Sequence, residues 1–390
     1  MRIYNSRSNN RIRIFPRQNP FNGARYWPAV AICVIASFFS AYAQVGAPAS
    51  PLTQTISAAD LDLAERGDLT AQVKVAKAFN EGISVRRNYA EAFKWFGAAS
   101  KQGSLEASAW LGSLYLQGHG VPQDLGRAAS LIQPAADQKD PIGLRFMGIM
   151  YETGQGMPRD YSRAAKLFSQ AVAKKDPNSF DHLGLMVMRG FGVKKNVRRA
   201  ARLLTQGAGL GDSWAQLNLG EMYLGGHVPQ ARTQPSQPVS DLGRAQGNSG
   251  TAPKSIPNFN MAFSLFSESA AQGNRVAEFK LAELYQSGKG TAKDLQKALD
   301  LYSQSAAQNF APAQLALGKA TELGLGTAVD LVEAYTWYSL AAEQDSVPAA
   351  VRLQTLTQKM TPSQITQAQL SFTEVERQRK ANRPESISQQ

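Results

Sequence analysis

The sequence predicts an all-α chain, a right-handed α-solenoid of about seven helix-turn-helix units, and three observations predict it. First, one pattern recurs at a period of 36 residues: LGSLYLQGHGVPQDLGRAASL from Leu111, MGIMYETGQGMPRDYSRAAKL from Met147 and LGLMVMRGFGVKKNVRRAARL from Leu183. Self-similarity at such a period is the mark of stacked supersecondary units. Second, one column is glycine in every copy: Gly82, Gly118, Gly154, Gly190, Gly226, Gly288 and Gly324. It follows an apolar helical stretch, where a left-handed residue ends a helix without a Cβ clash. Third, six residues after that glycine, or across an insertion in the fifth copy, every copy has Asn or Asp: Asn88, Asp124, Asp160, Asn196, Asn258, Asp294 and Asp330. A short polar side chain there caps the free backbone N–H groups of the next helix.

Taken in order, the chain opens on a segment of a different kind. Arg2, Arg7, Arg11, Arg13, Arg17 and Arg25 precede an apolar run from Ala29 to Phe39, and no acidic residue interrupts them. Ala41-Tyr42-Ala43 then has the small-x-small form of a cleavage motif, so residues 1–43 read as a signal peptide or, if retained, an N-terminal membrane anchor. Either way the arginines stay inside and the repeats face outward, making the protein periplasmic, secreted or anchored with its repeats outside the cytoplasm. The single cysteine, Cys33, follows Ile32 rather than a small residue, which argues against lipid attachment and leaves the mature chain without a thiol. Residues 44–56 are rich in Pro, Ala and Ser and read as a linker. Ser57 to Asp60 forms a capping-box pattern that opens a shielding helix over 57–66.

The repeats are expected over 67–345. Each comprises helix A, a turn of about five residues, helix B and a short link. Helix A carries a small-residue column (Gly112, Gly148, Gly184, Gly220, Ala282, Gly318), and helix B an alanine column (Ala92, Ala128, Ala164, Ala200, Ala262, Ala298, Ala334). A mid-helix glycine costs about 1 kcal/mol relative to alanine, so its recurrence argues for a close crossing of the two helices. Large residues such as Trp95/Phe96, Leu167/Phe168, Leu265/Phe266 and Trp337/Tyr338 fill the remaining space. The fifth copy is longer by 26 residues, a Pro-, Ser-, Gln- and Gly-rich insertion over 228–257 that reads as a disordered surface loop. Beyond the seventh copy, C-terminal capping helices are expected over 346–380 and a disordered tail over 381–390.

These columns resemble the Sel-one-like repeat family, the somewhat longer relatives of tetratricopeptide repeats. Gly67 to Ala99 carries the family's helix-A start, Ala92 and Trp95. Gly290 to Ala306 and Gly326 to Ala342 carry its loop glycine, its Asp and its closing Ala pair. The pattern departs at Ser84 and Val228, where the second loop glycine is missing. The resemblance implies a tetratricopeptide-like superhelix with helix A lining a concave groove. It also implies a non-enzymatic protein-interaction scaffold, a role bacterial members play in secretion, polysaccharide export and envelope complexes. The cysteine-paired branch of the family is excluded by the cysteine count.

Two surfaces are candidates for function. Removing the six leader arginines leaves 36 basic and 30 acidic residues, and the excess falls on the turns and helix-B faces of the first four copies. Arg127, Arg163 and Arg199 form one column, with Lys166 and Arg202 one turn further, a stripe suited to an acidic protein, an anionic glycan or a membrane surface. Like charges at these positions are expected to repel, so the fold gains nothing from assembling them. On helix A, Trp110, Phe146 and His182 form a variable column and Trp214 lies one turn before its next member, a candidate concave surface for other envelope proteins. Ordinary packing between A helices is the competing reading. His119 and His227 are expected to be exposed loop residues, and Glu152 and Glu221 exposed helix positions. No HExxH, CxxC, GxSxG or P-loop string occurs, so no catalytic residue, cofactor or metal ligand is assigned. Nucleic acid is excluded as a partner by export and by the lack of an aromatic-interleaved basic platform. The function expected is that of a cell-envelope scaffold; a glycan- or peptidoglycan-acting envelope enzyme and a secreted effector binding host proteins are the alternatives.

Overall fold

The computed structural model describes residues 56–82, 85–228 and 256–381. The expected leader, the linker up to residue 55, residue 83 and Ser84, the insertion from 229 to 255 and the tail beyond 381 lie outside these residues. Ile56, expected in the linker, packs against the first core cluster. Among the described residues there are seventeen helices and no strand. A short α1 (Ala58–Glu65) leads into seven pairs. They are α2 (Leu69–Glu81) with α3 (Tyr89–Lys101), α4 (Leu105–Gln117) with α5 (Leu125–Asp137), and α6 (Pro141–Thr153) with α7 (Tyr161–Ala173). Next come α8 (Pro177–Arg189) with α9 (Val197–Gly209), and α10 (Ser213–Leu224) with α11 (Phe259–Ala271). The last pairs are α12 (Arg275–Ser287) with α13 (Leu295–Ala307) and α14 (Ala311–Leu323) with α15 (Leu331–Ala342), followed by α16 (Val347–Thr357) and α17 (Pro362–Ala381). Contacts run between chain neighbours and between successive A helices such as α4 with α6 and α8 with α10, which is the one-dimensional packing of a solenoid.

The three sequence columns each do the job their chemistry suggests. All seven Asn/Asp residues accept a backbone N–H at the start of helix B, for example Arg163 N to Asp160 and Met261 N to Asn258. Six of the seven glycines end helix A in the left-handed region at φ 67–81°. In the fifth pair α10 stops at Leu224, so Gly226 sits one residue past the helix cap, still at φ 63°. Each turn is closed by the same backbone bond, from the capping residue's N–H to a carbonyl near the end of helix A. Asp124 N to Tyr115 O (3.0 Å) and Asp160 N to Tyr151 O (2.9 Å) are two instances. Asn258 N makes it to Tyr223 O at 3.0 Å, although far more residues lie between them.

Inside each pair the crossing is tight. A methyl group added at Gly112 would sit 2.6 Å from Ile132, at Gly148 2.8 Å from Phe168, at Gly184 2.9 Å from Leu204, and at Gly220 or Gly318 2.5 Å from Phe266 or Tyr338. The helix-B alanines are 0–2% exposed, and Phe96, Phe168, Phe266 and Tyr338 are fully buried. Burying a side chain of this size contributes roughly 1.5–3 kcal/mol, so each pair brings its own share of core. Between pairs the turns latch. His119 stacks on Tyr89 (4.3 Å between centroids, 19°) and Phe191 on Tyr161 (4.9 Å, 23°). His119 is therefore half-buried rather than exposed, and burial beside Arg87 lowers its pKa.

The ends are closed differently. At the N-terminus the Ser57–Asp60 capping box is formed and Lys74 bonds both Asp60 oxygens at 2.8 Å. At the C-terminus Ala368 and Val375 of α17 enter the last two core clusters. Glu322, nearly buried, accepts from Tyr338 Oη (2.8 Å), Lys359 Nζ (2.9 Å) and Arg352 (3.5 Å).

Candidate functional site

The helix-B edge carries the basic column. Arg127, Arg163, Lys166, Arg199 and Arg202 are all exposed, on α5, α7 and α9. Two of them are not the idle charges expected. The Arg127 guanidinium lies 5.5 Å from the Tyr115 ring centroid and donates to its hydroxyl at 3.2 Å; Arg163 repeats the arrangement on Tyr151 at 5.5 and 3.3 Å. Arg163 also stands 3.3 Å from Asp160. The fold thus spreads and orients these cations, which corrects the expectation that it gains nothing from them. In the next copy the ring is replaced by Val187, so Arg199 lacks that support.

The helix-A column resolves differently. Phe146 is 4% exposed, which removes it as a partner surface and places it in the core between pairs. Trp110 is half-buried, parallel to Phe96 at 5.8 Å and edge-on to Phe146 at 5.2 Å. His182 stacks on Phe168 (4.7 Å, 4°) and bonds Glu152 across the joint at 2.9 Å. Trp214 alone is open to solvent, at 49%. Glu152 and Glu221 are half-buried and paired, the second with Lys280 at 3.3 Å, rather than exposed. Their partners lie on the following A helix.

A second polar layer forms where each A helix meets the link leaving its own pair. Gln102 donates to Gln72 (2.8 Å), Gln272 to Gln216 (2.8 Å) and Gln344 to Gln314 (2.7 Å). In the sixth pair Gln308 donates to both oxygens of Glu278, at 3.0 and 2.9 Å. Burial pushes the Glu278 carboxyl up to about 7, against the opposing effect of Gln308. In the third and fourth pairs the Gln position is Leu144 and Phe180, and charges stand one residue later. Arg145, 4% exposed, lies between the Trp110 and Phe146 rings with its Nε 3.7 Å from Asp176. Asp181 and Asp212 are 7% and 6% exposed. Sequence reasoning passed over these residues, but the column did signal them. Val73, Ala109, Arg145, Asp181, Leu217, Phe279 and Leu315 occupy one position, apolar except in two successive copies.

Among the described residues no group of His, Cys, Asp and Glu has the geometry of a metal site, and no helix is long and apolar enough to cross a membrane. The chemistry these surfaces offer is recognition: oriented guanidinium groups outside, a half-polar face with one exposed indole on helix A.

A family model described as Sel1 repeat matches residues 69–104, 105–140, 141–176, 182–212, 215–234, 241–274, 275–310 and 311–346. The eight segments agree with seven helix pairs, because α10 and α11 of the fifth pair are matched separately on either side of the insertion. Among solved structures the chain is similar to a Sel1 repeat protein from Oxalobacter formigenes. The two are 26% identical with a TM-score of 0.51, over 76% of this chain and 78% of that one. It is also similar to a protective antigen of uropathogenic Escherichia coli (23% identity, TM-score 0.35, 85% and 90% covered). A third is an immunity protein from Pseudomonas aeruginosa (20% identity, TM-score 0.42, 61% and 82% covered). A search of curated proteins returned no match.

Proposed function

This chain belongs to the Sel1 repeat family, and on that premise we propose that it is a non-enzymatic adaptor of the bacterial cell envelope, exported by its N-terminal segment. Sel1 repeat proteins are commonly protein-interaction scaffolds, which supports the adaptor role. The arginine-rich, acid-free start followed by an apolar run supports the location. The observation that carries the reading is the exposed basic column on successive B helices, two of whose arginines are held outward on tyrosine rings. Guanidinium groups presented in series suit a carboxylate-rich partner, bidentate at each step. The partner class is an envelope protein with an acidic surface, and the Trp214 side of helix A is its second contact.

Arg199→Glu combined with Arg202→Glu tests this, since neither has a tyrosine to lose. Cross-linked pull-down from the envelope fraction should lose its captured proteins while the circular dichroism spectrum and melting temperature stay put. Wild-type capture should weaken as salt rises, because exposed charges are screened within about 8–10 Å at physiological strength. Capture that survives the reversal overturns the basic edge as the contact. Binding to anionic vesicles or acidic glycans in place of proteins would reassign it. An outward-facing reporter fused after Gln390 should be active; activity confined to the cytoplasm would remove the envelope role.

A further inference from the structure

The repeat register supplies an internal control for one pair of buried acids. In the third pair, Arg145 on α6 faces Asp176, the residue that caps α8. One period later the same two positions are Asp181, on α8, and Asp212, the cap of α10. Where the earlier joint sets a guanidinium against a carboxylate, this joint sets a carboxylate against a carboxylate. Both are more than nine-tenths buried. Asp181 accepts from Asn218 Nδ2 at 2.7 Å, and one Asp212 oxygen accepts from Trp214 N at 3.2 Å. The other, Oδ2, is buried without a hydrogen-bond partner. One period further the pair is Leu217 with Asn274 and the charge problem is gone.

We propose that Asp212 holds a proton at its joint with Asp181, and that its loss loosens the joint between the fourth and fifth helix pairs. Two buried carboxylates close together cannot both ionise cheaply, and a proton on Asp212 removes the charge from a carboxyl whose Oδ2 has no partner. The surrounding charges do not supply a substitute. On α8, His182 is engaged with Glu152 of α6, and Arg189 lies at the helix end. On α10, Asn218 is neutral and already used. The basic residues of α7 and α9 (Arg163, Lys166, Arg198, Arg199, Arg202) point to solvent, and Glu268 of α11 bonds Gln216. Burial first, and Asp181 second, push the Asp212 carboxyl up to about 7; burial likewise raises Asp181. A folded-state value above the unfolded one means that stability falls as pH rises between the two and is fully lowered above the higher. The joint is therefore tight in mildly acidic surroundings and slack in alkaline ones, at the pair that also carries the insertion.

The test is amide hydrogen exchange of the full chain at pH 5.5 and pH 8.5, corrected for intrinsic rates, with a carboxyl-carbon NMR titration of Asp212. Protection of α8 and α10 should fall at least tenfold from the lower to the higher pH, while that of α4 and α5 holds. Asp181→Asn should move the Asp212 midpoint down by a unit or more and flatten the exchange profile, and Asp181→Leu, copying Leu217, should do the same if the amide variant folds poorly. His182→Gln and Glu278→Gln should leave the α8–α10 profile pH-dependent. An Asp212 midpoint below pH 5, or protection unaffected by pH, overturns the proposal. So does a profile that follows His182 or Glu278 instead.

Discussion

The crossing inside each helix pair and the layer where helix A meets its outgoing link are built on opposite rules. The crossing is written almost identically seven times: a small residue on A, an alanine on B, and a large residue on B lying over the small one, as Phe168 lies over Gly148. The link layer varies from copy to copy: Gln–Gln in three, Glu–Gln in the sixth, Arg145 with Asp176 in the third, and two buried aspartates in the fourth. The difference is physical. Non-directional packing tolerates no change in volume at a contact of 2.5–2.9 Å to a would-be methyl group, whereas the polar layer takes several sets of groups, even where Arg145 and Asp212 keep buried atoms without a hydrogen-bond partner. Stability is held in common by the crossings, and individuality resides in the links.

Breaking a crossing should give the largest effect. Phe168→Ala empties a fully buried position and is expected to cost about 3–5 kcal/mol, seen as a large fall in melting temperature. A loss under about 1 kcal/mol would mean that neighbouring pairs carry the third, and that the crossing is not the unit of stability. In the link layer Glu278→Gln should act in the other direction. Its carboxyl sits near 7 in the fold against 4.5 ordinarily, so its ionisation opposes folding progressively between those values and fully above them. The variant copies Gln72, Gln216 and Gln314, and should be more stable than wild type by on the order of 1–2 kcal/mol at pH 8 and nearly equal to it at pH 4. Urea melts at the two pH values check this; an equal difference at both removes ionisation as the cause. The smallest change lies in the links themselves. Lys139 and Lys175 hold φ at 61° and 62°, where other links have Gly67, Gly103, Gly211 and Gly273. Lys175→Gly should raise stability by a few tenths to about 1 kcal/mol, relief of left-handed strain outweighing the entropy of glycine.

The crossings were legible in the sequence because seven copies vote on each column, and a glycine or alanine that recurs at one position has one explanation. The caps were legible for the same reason, Asn88 through Asp330 all doing one job. The candidate surfaces were half legible. The exposed arginines stand where their column puts them, but the tyrosines beneath two of them are twelve residues away on the other helix and carry no local signal. Phe146 was misplaced because an aromatic on a variable column looks alike whether it meets solvent or the next pair. Asp181 and Asp212 look like ordinary polar residues of a helix and a cap; only their offset, shared with Arg145 and Asp176, marks them as two acids at one joint.

The bond from Asn258 N to Tyr223 O has a bearing on engineering. It brings the two ends of the insertion as close as the ends of any short turn in the array, so the solenoid is indifferent to what lies between. Closing a longer loop costs only about 0.6 kcal/mol per doubling of its length. The fifth turn is thus a port: a place where a tag, a foreign domain or a nick enters the chain without disturbing the pairs on either side.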